Sequence, residues 1–277
     1  MTLPPGARDA RRVGGGDINV AFRAVLADGS EAFVKTRADA APGEYAAEAT
    51  GLAWLAEPGA LRTPRILAVD DGYLALEWLP AGRLDAAGVE ELGRGLAETH
   101  EAGAPVFGAE GACAVVGFGS LRLSNEPAAD WPSFYAERRL LPLASMARER
   151  AALSAAGSDA VERLCGRLRD LAGPPEPPAR LHGDLWSGNV MAGADGRPWL
   201  IDPSAYGGHR EVDLAMLRLF GSPSARILDA YREASPLADG HEERVGLWQL
   251  FPLLVHAALF GGHYVQSAAQ MARRYAG

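Results

Sequence analysis

The sequence contains few cysteines, since Cys113 and Cys165 are the two present among 277 residues. Two cysteines this far apart form neither a disulfide framework nor a cysteine-based metal site, so we expect reduced thiols. Residues 1–6 lack the apolar core of a signal peptide. The longest apolar stretch, around residues 251–260, includes a proline and a histidine and is too short and too polar to span a bilayer. We therefore expect a cytoplasmic protein that has no membrane partner.

Positive charge is also scarce. The chain has 27 Lys and Arg residues against 35 Asp and Glu residues, which gives a formal net charge of -8. A protein that binds nucleic acid usually presents a basic face, so a nucleic-acid partner is disfavoured. An acidic protein suits a cationic or neutral small substrate better than an anionic one.

Lysine is almost absent from the sequence. Lys35 is the only lysine, and the other 26 basic residues are arginines. It ends the segment 32–35, whose alternation of side chains is typical of a strand. Chance survival of one surface lysine is the alternative explanation. We favour a functional site that needs a compact point charge in place of a planar guanidinium.

The most informative segment is residues 182–189, His-Gly-Asp-Leu-Trp-Ser-Gly-Asn. Asp184 precedes Asn189 by five residues in a loop that contains glycine, and a short apolar run then leads to Asp202. One carboxylate can orient and deprotonate an acceptor hydroxyl, while an amide oxygen and a second carboxylate suit Mg²⁺. Kinases that transfer the terminal phosphoryl group of ATP use such a set. We therefore predict Asp184 as the catalytic base, and Asn189 and Asp202 as metal ligands.

The residues predicted to bind ATP lie in the first third of the chain. Glu48 follows Lys35 on a predicted helix, where an ion pair would aim the lysine at the phosphates. Glu44, one helical turn earlier, is a rival for this pairing. Glycines before the first predicted strand would let backbone amides approach phosphates closely. The nucleotide set is completed by Gly14, Gly15, Gly16, Asp17, Glu77 and Leu79.

The order of the predicted elements indicates an α+β fold with two lobes. Residues 1–80 are predicted to form a small β-rich lobe with one main helix, which binds ATP. Residues 81–277 are predicted to form a larger, mostly helical lobe with the catalytic loop and the acceptor site, which together give the plan of protein kinases. The predicted strands are 20–26, 31–36, 64–69 and 73–78, and the predicted helices are 43–57, 85–101, 131–150, 158–171, 211–220, 224–233, 242–258 and 260–276, with an ordered excursion at 103–130. We expect a monomer.

Other side chains near the motif have predicted roles in substrate binding or support. Trp186, two residues after Asp184, would pack in the core or form one wall of the substrate pocket, and we favour the wall because sugars and cations pack on indole faces. His209 is either a substrate contact or a buried polar residue with its hydrogen bonds satisfied. His182 and Asp213 are predicted to support the catalytic loop. The remaining histidines are predicted to be structural and are His100, His241, His256 and His263.

These motifs together resemble the fructosamine kinase (ketosamine-3-kinase) family, within the aminoglycoside phosphotransferase-like superfamily. Trp186 and the Gly-His-Arg-Glu string at 208–211 separate this family from aminoglycoside and choline kinases. The segments that carry the resemblance are 15–19, 131–140, 181–189, 201–216 and 259–264, so it runs nearly end to end.

The resemblance implies ATP-dependent phosphorylation of a sugar hydroxyl in a ketosamine, the rearranged product of a sugar attached to an amine. Asp184 would deprotonate that hydroxyl, and Trp186 would pack on the sugar-amine, free or protein-bound. A kinase for an aminoglycoside, an amino alcohol or another amino sugar is the alternative. A pseudokinase is less favoured, because Lys35, Asp184 and Asp202 are all present.

Two positions differ from protein kinases. Gly183 replaces the arginine of His-Arg-Asp, so no side chain there can bind a phosphorylated activation loop. Asp202 is followed by Pro203 and Ser204, where protein kinases have Phe-Gly. We therefore predict a small-molecule kinase that is active without prior phosphorylation.

Overall fold

The protein is described by a computed structural model for residues 2–14, 19–150, 153–221 and 223–277. Three residues of the predicted glycine loop, Gly15, Gly16 and Asp17, lie outside the described residues. Among the helices of the described ranges, none is both long enough and apolar enough to cross a membrane.

A five-stranded antiparallel sheet forms from the first part of the chain, in the order β1-β2-β3-β5-β4. Its strands are β1 (Arg8–Val13), β2 (Val20–Val25), β3 (Glu31–Thr36), β4 (Ile66–Asp70) and β5 (Tyr73–Glu77). The last four confirm the predicted strands. β1 is not predicted, because its side chains are largely exposed and charged and the sequence there shows no apolar alternation.

The two faces of this sheet are covered by different parts of the chain. Val34 belongs to a buried cluster on one face, which Leu3 of the N-terminal segment covers. On the other face, Leu74 packs against α1, which spans Glu44–Ala56. Lys35 pairs with Leu74 across β3 and β5, so both side chains point to the same face. The only lysine therefore lies on the α1 side of the sheet.

The rest of the chain is mainly helical. α2 begins after Asp85, whose carboxylate accepts a hydrogen bond from the backbone N–H of Gly88 at 2.7 Å, as expected of an acidic cap. A π-helical turn, Ala136–Leu140, joins α3 to α4, so the predicted helix 131–150 is one continuous helical segment. The helices are α2 (Ala86–Glu101), α3 (Trp131–Tyr135), α4 (Leu141–Glu149), α5 (Ala155–Leu171), α6 (Glu211–Leu217), α7 (Ala225–Ala234), α8 (His241–Phe260) and α9 (His263–Ala276).

Several helix boundaries differ from the prediction, and two of the differences have a local cause. α5 starts three residues early, because the hydroxyl of Ser154 accepts a hydrogen bond from the backbone N–H of Gly157 and caps the helix there. α8 and α9 are separated by Gly261 and Gly262, both with positive φ, 65° and 61°. Glycine adopts this conformation readily, so the pair ends one helix before the next begins.

The predicted excursion at 103–130 contains a β-hairpin. A short 3₁₀ turn, Gly111–Ala114, leads into β6 (Val115–Phe118), which pairs with β7 (Leu121–Ser124). The turn between the strands includes Gly119, with φ 57°. Alternation over four residues is too brief to identify such strands from sequence. We call this element the β6–β7 hairpin.

Two small antiparallel sheets frame the catalytic loop, residues 182–189. β8 (Ala179–Leu181) pairs with β11 (Tyr206–Gly208), and β9 (Val190–Ala192) pairs with β10 (Pro198–Leu200). The loop leaves β8 and enters β9, while Asp202 follows β10 by two residues. The pairing of these strands brings both ends of the catalytic loop close to Asp202.

Candidate active site

The buried carboxylate of Asp213 holds the start of the catalytic loop. Asp213 lies on α6 and accepts hydrogen bonds from the backbone N–H groups of His182, at 2.7 Å, and Gly183, at 3.0 Å. The Nε2 atom of His182 lies 2.9 Å from the carbonyl oxygen of Ile201. These contacts tie the start of the loop to α6 and to Ile201, while the supporting roles of His182 and Asp213 stay predictions.

Asp213 has a further buried partner that sequence reasoning misses. The Nε2 atom of His100, on α2, lies 3.3 Å from Asp213 Oδ2, and its Nδ1 atom lies 2.8 Å from the hydroxyl of Tyr231 on α7. The imidazole ring therefore joins the carboxylate of Asp213 to the hydroxyl of Tyr231. The three residues come from distant helices and share no local pattern, so the sequence carries no signal that groups them.

Gly183 is the residue that allows the catalytic loop to approach the segment after Asp202. It has a positive φ of 81°, and a Cβ atom at this position would lie 2.1 Å from the carbonyl oxygen of Ser204. A side chain would therefore collide with the backbone. This explains why the position holds glycine, where protein kinases have the arginine of His-Arg-Asp.

Asp184 and Asn189 are in direct contact. The side-chain amide of Asn189 donates hydrogen bonds to the carbonyl oxygen of Asp184, at 2.8 Å, and to its Oδ2 atom, at 3.0 Å. Both donors of the amide face Asp184 in this arrangement, so the amide oxygen of Asn189 is directed elsewhere and can serve as a ligand. The contact fixes the carboxylate without neutralising it.

Lys35 bridges the two lobes through two carboxylates. Its Nζ atom lies 2.6 Å from Glu48 Oε1 and 2.9 Å from Asp202 Oδ1, and the residue is 4% exposed. Burial alone would lower the pKa of Lys35, but the carboxylates of Asp202 and Glu48 outweigh it and hold that pKa above its usual value. The lysine is therefore a positive charge held in one place.

Glu44, the rival of Glu48, points elsewhere. Its carboxylate accepts hydrogen bonds from Arg37, at 2.8 and 2.9 Å, and from Arg122 of the β6–β7 hairpin, at 2.7 Å. Of the two acidic residues on this side of α1, Glu48 is thus the one in contact with Lys35, as the sequence analysis prefers.

The electrostatic surroundings make Asp184 more basic than an ordinary carboxylate. Burial raises its pKa to about 7, and the neighbouring Asp202 and Asp213 act in the same direction, while the hydrogen bond from Asn189 opposes them. In contrast, the Lys35 ammonium overcomes the effect of burial on Asp202 and holds the pKa of that carboxyl below its usual range. Two neighbouring carboxylates therefore differ in basicity, which is a pattern typical of acid–base sites.

A cavity of about 900 Å³ opens above Asp184. Lys35, Glu48, Asn189 and Asp202 lie at its polar end, and Trp186 lies on its wall. The indole is 38% exposed and its ring covers Gly188, where a Cβ atom would lie 2.2 Å from the ring. Gly188 thus leaves room for the indole to lie flat against the loop, in the wall position that we favour for Trp186.

The wall beyond Trp186 is aromatic and comes from the turn after α6, from α8 and from α9. Its rings are 4.8–6.1 Å apart along the series from Trp186 through Phe220 and His256 to Tyr264, and Phe260 extends it to the rim. From the sequence, His256 is predicted to be structural, and no role is predicted for Phe220, Phe260 or Tyr264. No spacing pattern in the sequence reveals the wall, because Phe220, α8 and α9 come together only when the helices pack.

The opposite side of the cavity is formed by α1 and the β6–β7 hairpin. Glu44 and Arg122 lie there with Cys113, whose pKa is raised by burial. A thiol with a raised pKa is a poor nucleophile at neutral pH.

His209 lies outside this cavity, and so do three residues predicted to bind the nucleotide, Gly14, Glu77 and Leu79. His209 is buried, its ring stacks on Trp248 at 5.4 Å, and its Nε2 atom lies 3.8 Å from Glu176. Of the two roles left open for His209, a buried polar residue fits this position. The carboxylate of Glu77, at the end of β5, accepts hydrogen bonds from Arg65, and Leu79 is half-buried just beyond. Gly14 lies at the end of β1 with open space around its Cα.

Within the described ranges, no cluster of three His, Cys, Asp or Glu side chains could by itself hold a metal ion. The pair formed by Asn189 and Asp202 fits a different kind of site. Asp202 uses Oδ1 for Lys35, which leaves its other oxygen free, and it adopts a positive φ of 54° that is unusual for a residue with a side chain. Mg²⁺ typically takes only one or two protein oxygens and fills its other positions with water and phosphate.

Comparison with known proteins identifies the family. The family model for fructosamine kinase matches residues 4–276. The chain is 35% identical over 274 residues to a probable ketoamine kinase of Synechocystis, covering 96% of this chain and 90% of that protein.

Solved structures agree with this relationship. A candidate fructosamine-3-kinase of Thermobifida fusca is 43% identical in sequence and superimposes with a TM-score of 0.89, covering 98% of this chain and 93% of that one. The choline kinase LicA of Streptococcus pneumoniae is 14% identical, with a TM-score of 0.63 over 98% of this chain and 94% of its own. The second likeness extends to the fold alone. The two-lobed kinase-like fold predicted from sequence is therefore confirmed, while the lobe boundary at residue 80 stays a prediction.

Proposed function

This chain belongs to the fructosamine kinase family, and we propose that it transfers the γ-phosphoryl group of ATP to a sugar hydroxyl of a ketosamine. The observation that carries the proposal is the position of Asp184. Asp184 lines the same cavity as the charged cluster around Lys35 and the aromatic wall that starts at Trp186. An acceptor on the wall and a phosphoryl donor at the lysine would both reach it.

Asp184 would act as the general base. Its ionised carboxylate accepts the proton of the acceptor hydroxyl as the oxygen forms a bond to the γ-phosphorus. The bond from that phosphorus to the bridging oxygen breaks, and ADP leaves with the electron pair. A raised pKa brings the carboxylate closer in proton affinity to the group it serves, which favours proton transfer near neutral pH.

Lys35 would hold the phosphates of ATP, and Glu48 would hold Lys35. A charge fixed by two carboxylates costs no reorganisation when the phosphates arrive, and such preorganisation is the main source of catalysis in phosphoryl transfer. The predicted glycine loop and the residues around Glu77 and Leu79 would enclose the rest of the nucleotide, as proposals that follow from their place along the chain.

Mg²⁺ fits the two oxygen ligands that Asn189 and Asp202 supply. When bound, the ion would neutralise charge on the phosphates. Asn189 directs its amide hydrogens to Asp184 and keeps its oxygen for a ligand, while Asp202 divides its carboxylate between Lys35 and the free side. Asp184 and Lys35 therefore already hold Asn189 and Asp202 in place, and the loop need not rearrange when the ion binds.

The acceptor end of the cavity suits an amine-bearing sugar. Trp186 offers an indole face on which a sugar ring or a cationic amine can pack. The carboxylates that line the cavity, Glu44, Glu48, Asp184 and Asp202, outnumber the cations Lys35 and Arg122. A secondary ammonium group next to the sugar would therefore be favoured over an anionic group.

An acceptor panel tests this proposal. Purified protein is given ATP and Mg²⁺ with a ribulosamine, a fructosamine, an aminoglycoside and choline in turn, and ADP release and the phosphorylated product are measured. We expect turnover on the ketosamines, with the phosphate on a sugar hydroxyl. Turnover confined to the aminoglycoside or to choline would overturn the assignment of the acceptor while leaving the kinase chemistry intact.

A further inference from the structure

α1 is in contact with the helical lobe along its whole length. At its centre, the Sγ atom of Cys113 lies 3.5 Å from the carbonyl oxygen of Ala47, and a Cβ atom on Gly51 would lie 3.1 Å from the side chain of Ala205. Its two ends are held by arginines from the helical lobe, Arg122 and Arg180. These arginines are the contacts that have no role in the chemistry proposed above.

Arg122 of the β6–β7 hairpin holds the N-terminal turn of α1. Its Nη2 atom donates to Glu44 Oε2 at 2.7 Å, while Nη1 donates to the carbonyl oxygens of Gly119 and Leu121 at 2.6 and 2.9 Å. The hairpin therefore orients the guanidinium before it meets Glu44. Since Glu44 and Glu48 are one helical turn apart, a fixed Glu44 fixes the height and rotation of Glu48.

Arg180 holds the C-terminal end of α1. It lies on β8, two residues before His182, and its Nη1 atom donates to the carbonyl oxygen of Trp54 at 2.5 Å and to Glu57 Oε2 at 2.8 Å. The guanidinium also stacks on the Trp54 ring, 4.5 Å from its centroid. The last turn of α1 has no basic residue of its own, and Glu57 follows it. A cation from β8 therefore supplies the positive charge that a helix C-terminus favours.

We propose that Arg122 and Arg180 are positioning residues, which hold α1 so that Glu48 stays paired with Lys35. In protein kinases the corresponding lysine–glutamate pair forms when the helix moves inward, under the control of a phosphorylated loop. Here the helical lobe itself holds both ends of the helix, and Arg180 extends from the strand that leads into the catalytic loop. One side chain thus links the position of Glu48 to that of Asp184. This inference rests on the proposed function, because it gives a reason for activity without prior phosphorylation.

The test uses the reactivity of Lys35, which can be followed as a single site because the chain has no other lysine. Wild type, Arg122→Gln and Arg180→Ala are treated with an N-hydroxysuccinimide ester, and acylation at Lys35 is measured by peptide mapping, separately from the N-terminal amine. If α1 loses its hold, Lys35 loses its contact with Glu48, and the buried amine becomes accessible to the reagent, so acylation should accelerate about tenfold. kcat/KM for ATP should fall by about ten- to a hundredfold, since catalysis is sensitive to small misplacements.

Arg167→Ala is the matched control. Arg167 also donates to a carbonyl oxygen near the end of a helix, that of Tyr275 at 3.0 Å, but far along the chain from α1. This variant should acylate Lys35 at the wild-type rate. Equal rates in wild type, Arg122→Gln and Arg180→Ala would overturn the proposal. If Arg180→Ala does not fold, Glu57→Gln removes the same ion pair at an exposed position and is judged by the same criterion. The acylation assay contains no acceptor. It therefore tests the hold on α1 even if the acceptor is not a ketosamine.

Discussion

The two sides of the site around Asp184 are held together by different kinds of contact, ion pairs on one side and aromatic ring contacts on the other. Towards the small lobe, Lys35 contacts Glu48 and Asp202 at 2.6 and 2.9 Å, with the lysine buried. Towards the helical lobe, the aromatic wall consists of rings whose centres are 4.8–6.1 Å apart. Charged contacts at hydrogen-bond length are directional and lose most of their effect when displaced. Ring contacts are broad and tolerate displacement. We therefore expect the side proposed to bind ATP to be fixed and the side proposed to bind the acceptor to vary.

Replacing Asp184 by asparagine should give the largest effect, because it removes the proposed base. The amide keeps the size of the carboxylate but cannot accept the hydroxyl proton. We expect kcat to fall by about 10²–10⁴-fold, with the affinity for ATP retained. ADP release and nucleotide binding measure the two quantities.

Asp195→Asn is the control for this variant. Asp195 is an exposed carboxylate paired with Arg62, and its loss should leave kcat unchanged. If Asp184→Asn kept the wild-type kcat, the assignment of the base would be wrong.

Replacing Lys35 by arginine tests whether the charged side is as intolerant as its geometry indicates. The planar guanidinium keeps the charge but cannot place it at one point between Glu48 and Asp202. We expect a loss of kcat/KM for ATP on the order of 10²-fold, as for removal of a preorganised electrostatic contact. A variant with wild-type kinetics would show that the surviving lysine reflects chance. The same assay on Arg169→Lys, an exposed position that pairs with Asp130, should show no change.

The charged side could be predicted from sequence because its chemistry limits both residue type and spacing. Asp184, Asn189 and Asp202 lie within 19 positions of one another on a loop and the strands beside it, so short-range pairing brings them together. Lys35 could be identified because it is the only lysine in an arginine-rich chain. Glu48 needed only the helical period after Lys35, and the structure places it in contact.

The aromatic wall could not be predicted in the same way. Trp186 belongs to the motif, but Phe220 lies in the turn after α6, and His256 and Tyr264 reach the wall through the packing of α8 and α9. An aromatic residue on a helix is far more often part of the core than of a site, and no local pattern distinguishes these three. The same limitation applies to β1, whose charged sequence conceals a strand, and to the β6–β7 hairpin, which is too short for a periodic signal.

Replacing Trp186 by alanine should have a smaller effect that is confined to the acceptor side. The variant loses the indole face but keeps Asp184 and the lysine cluster. We expect kcat/KM for the ketosamine to fall by about tenfold, in line with one aromatic or cation–π contact, and KM for ATP to stay unchanged. Trp199→Ala removes an indole outside the cavity, where Arg62 stacks, and should leave the acceptor kinetics unchanged. A loss of ATP binding in Trp186→Ala would contradict the division of the site into two sides.

Replacing His209 by glutamine should have the smallest effect on catalysis, because the histidine is buried against Trp248 and does not line the cavity. Burial lowers the pKa of His209 although Glu211 and Glu176 favour its charged form. A folded-state pKa below the unfolded value means that the unfolded chain binds the proton first. The stability from neutral His209 is therefore complete above the unfolded pKa of about 6.5 and is lost as the pH falls below it.

At pH 8 the variant should lose about 1–3 kcal/mol of unfolding free energy, and its deficit relative to wild type should shrink on acidification. Denaturant unfolding across pH, with KM for the acceptor measured in parallel, checks both points. A raised acceptor KM at unchanged stability would favour the other role, a substrate contact.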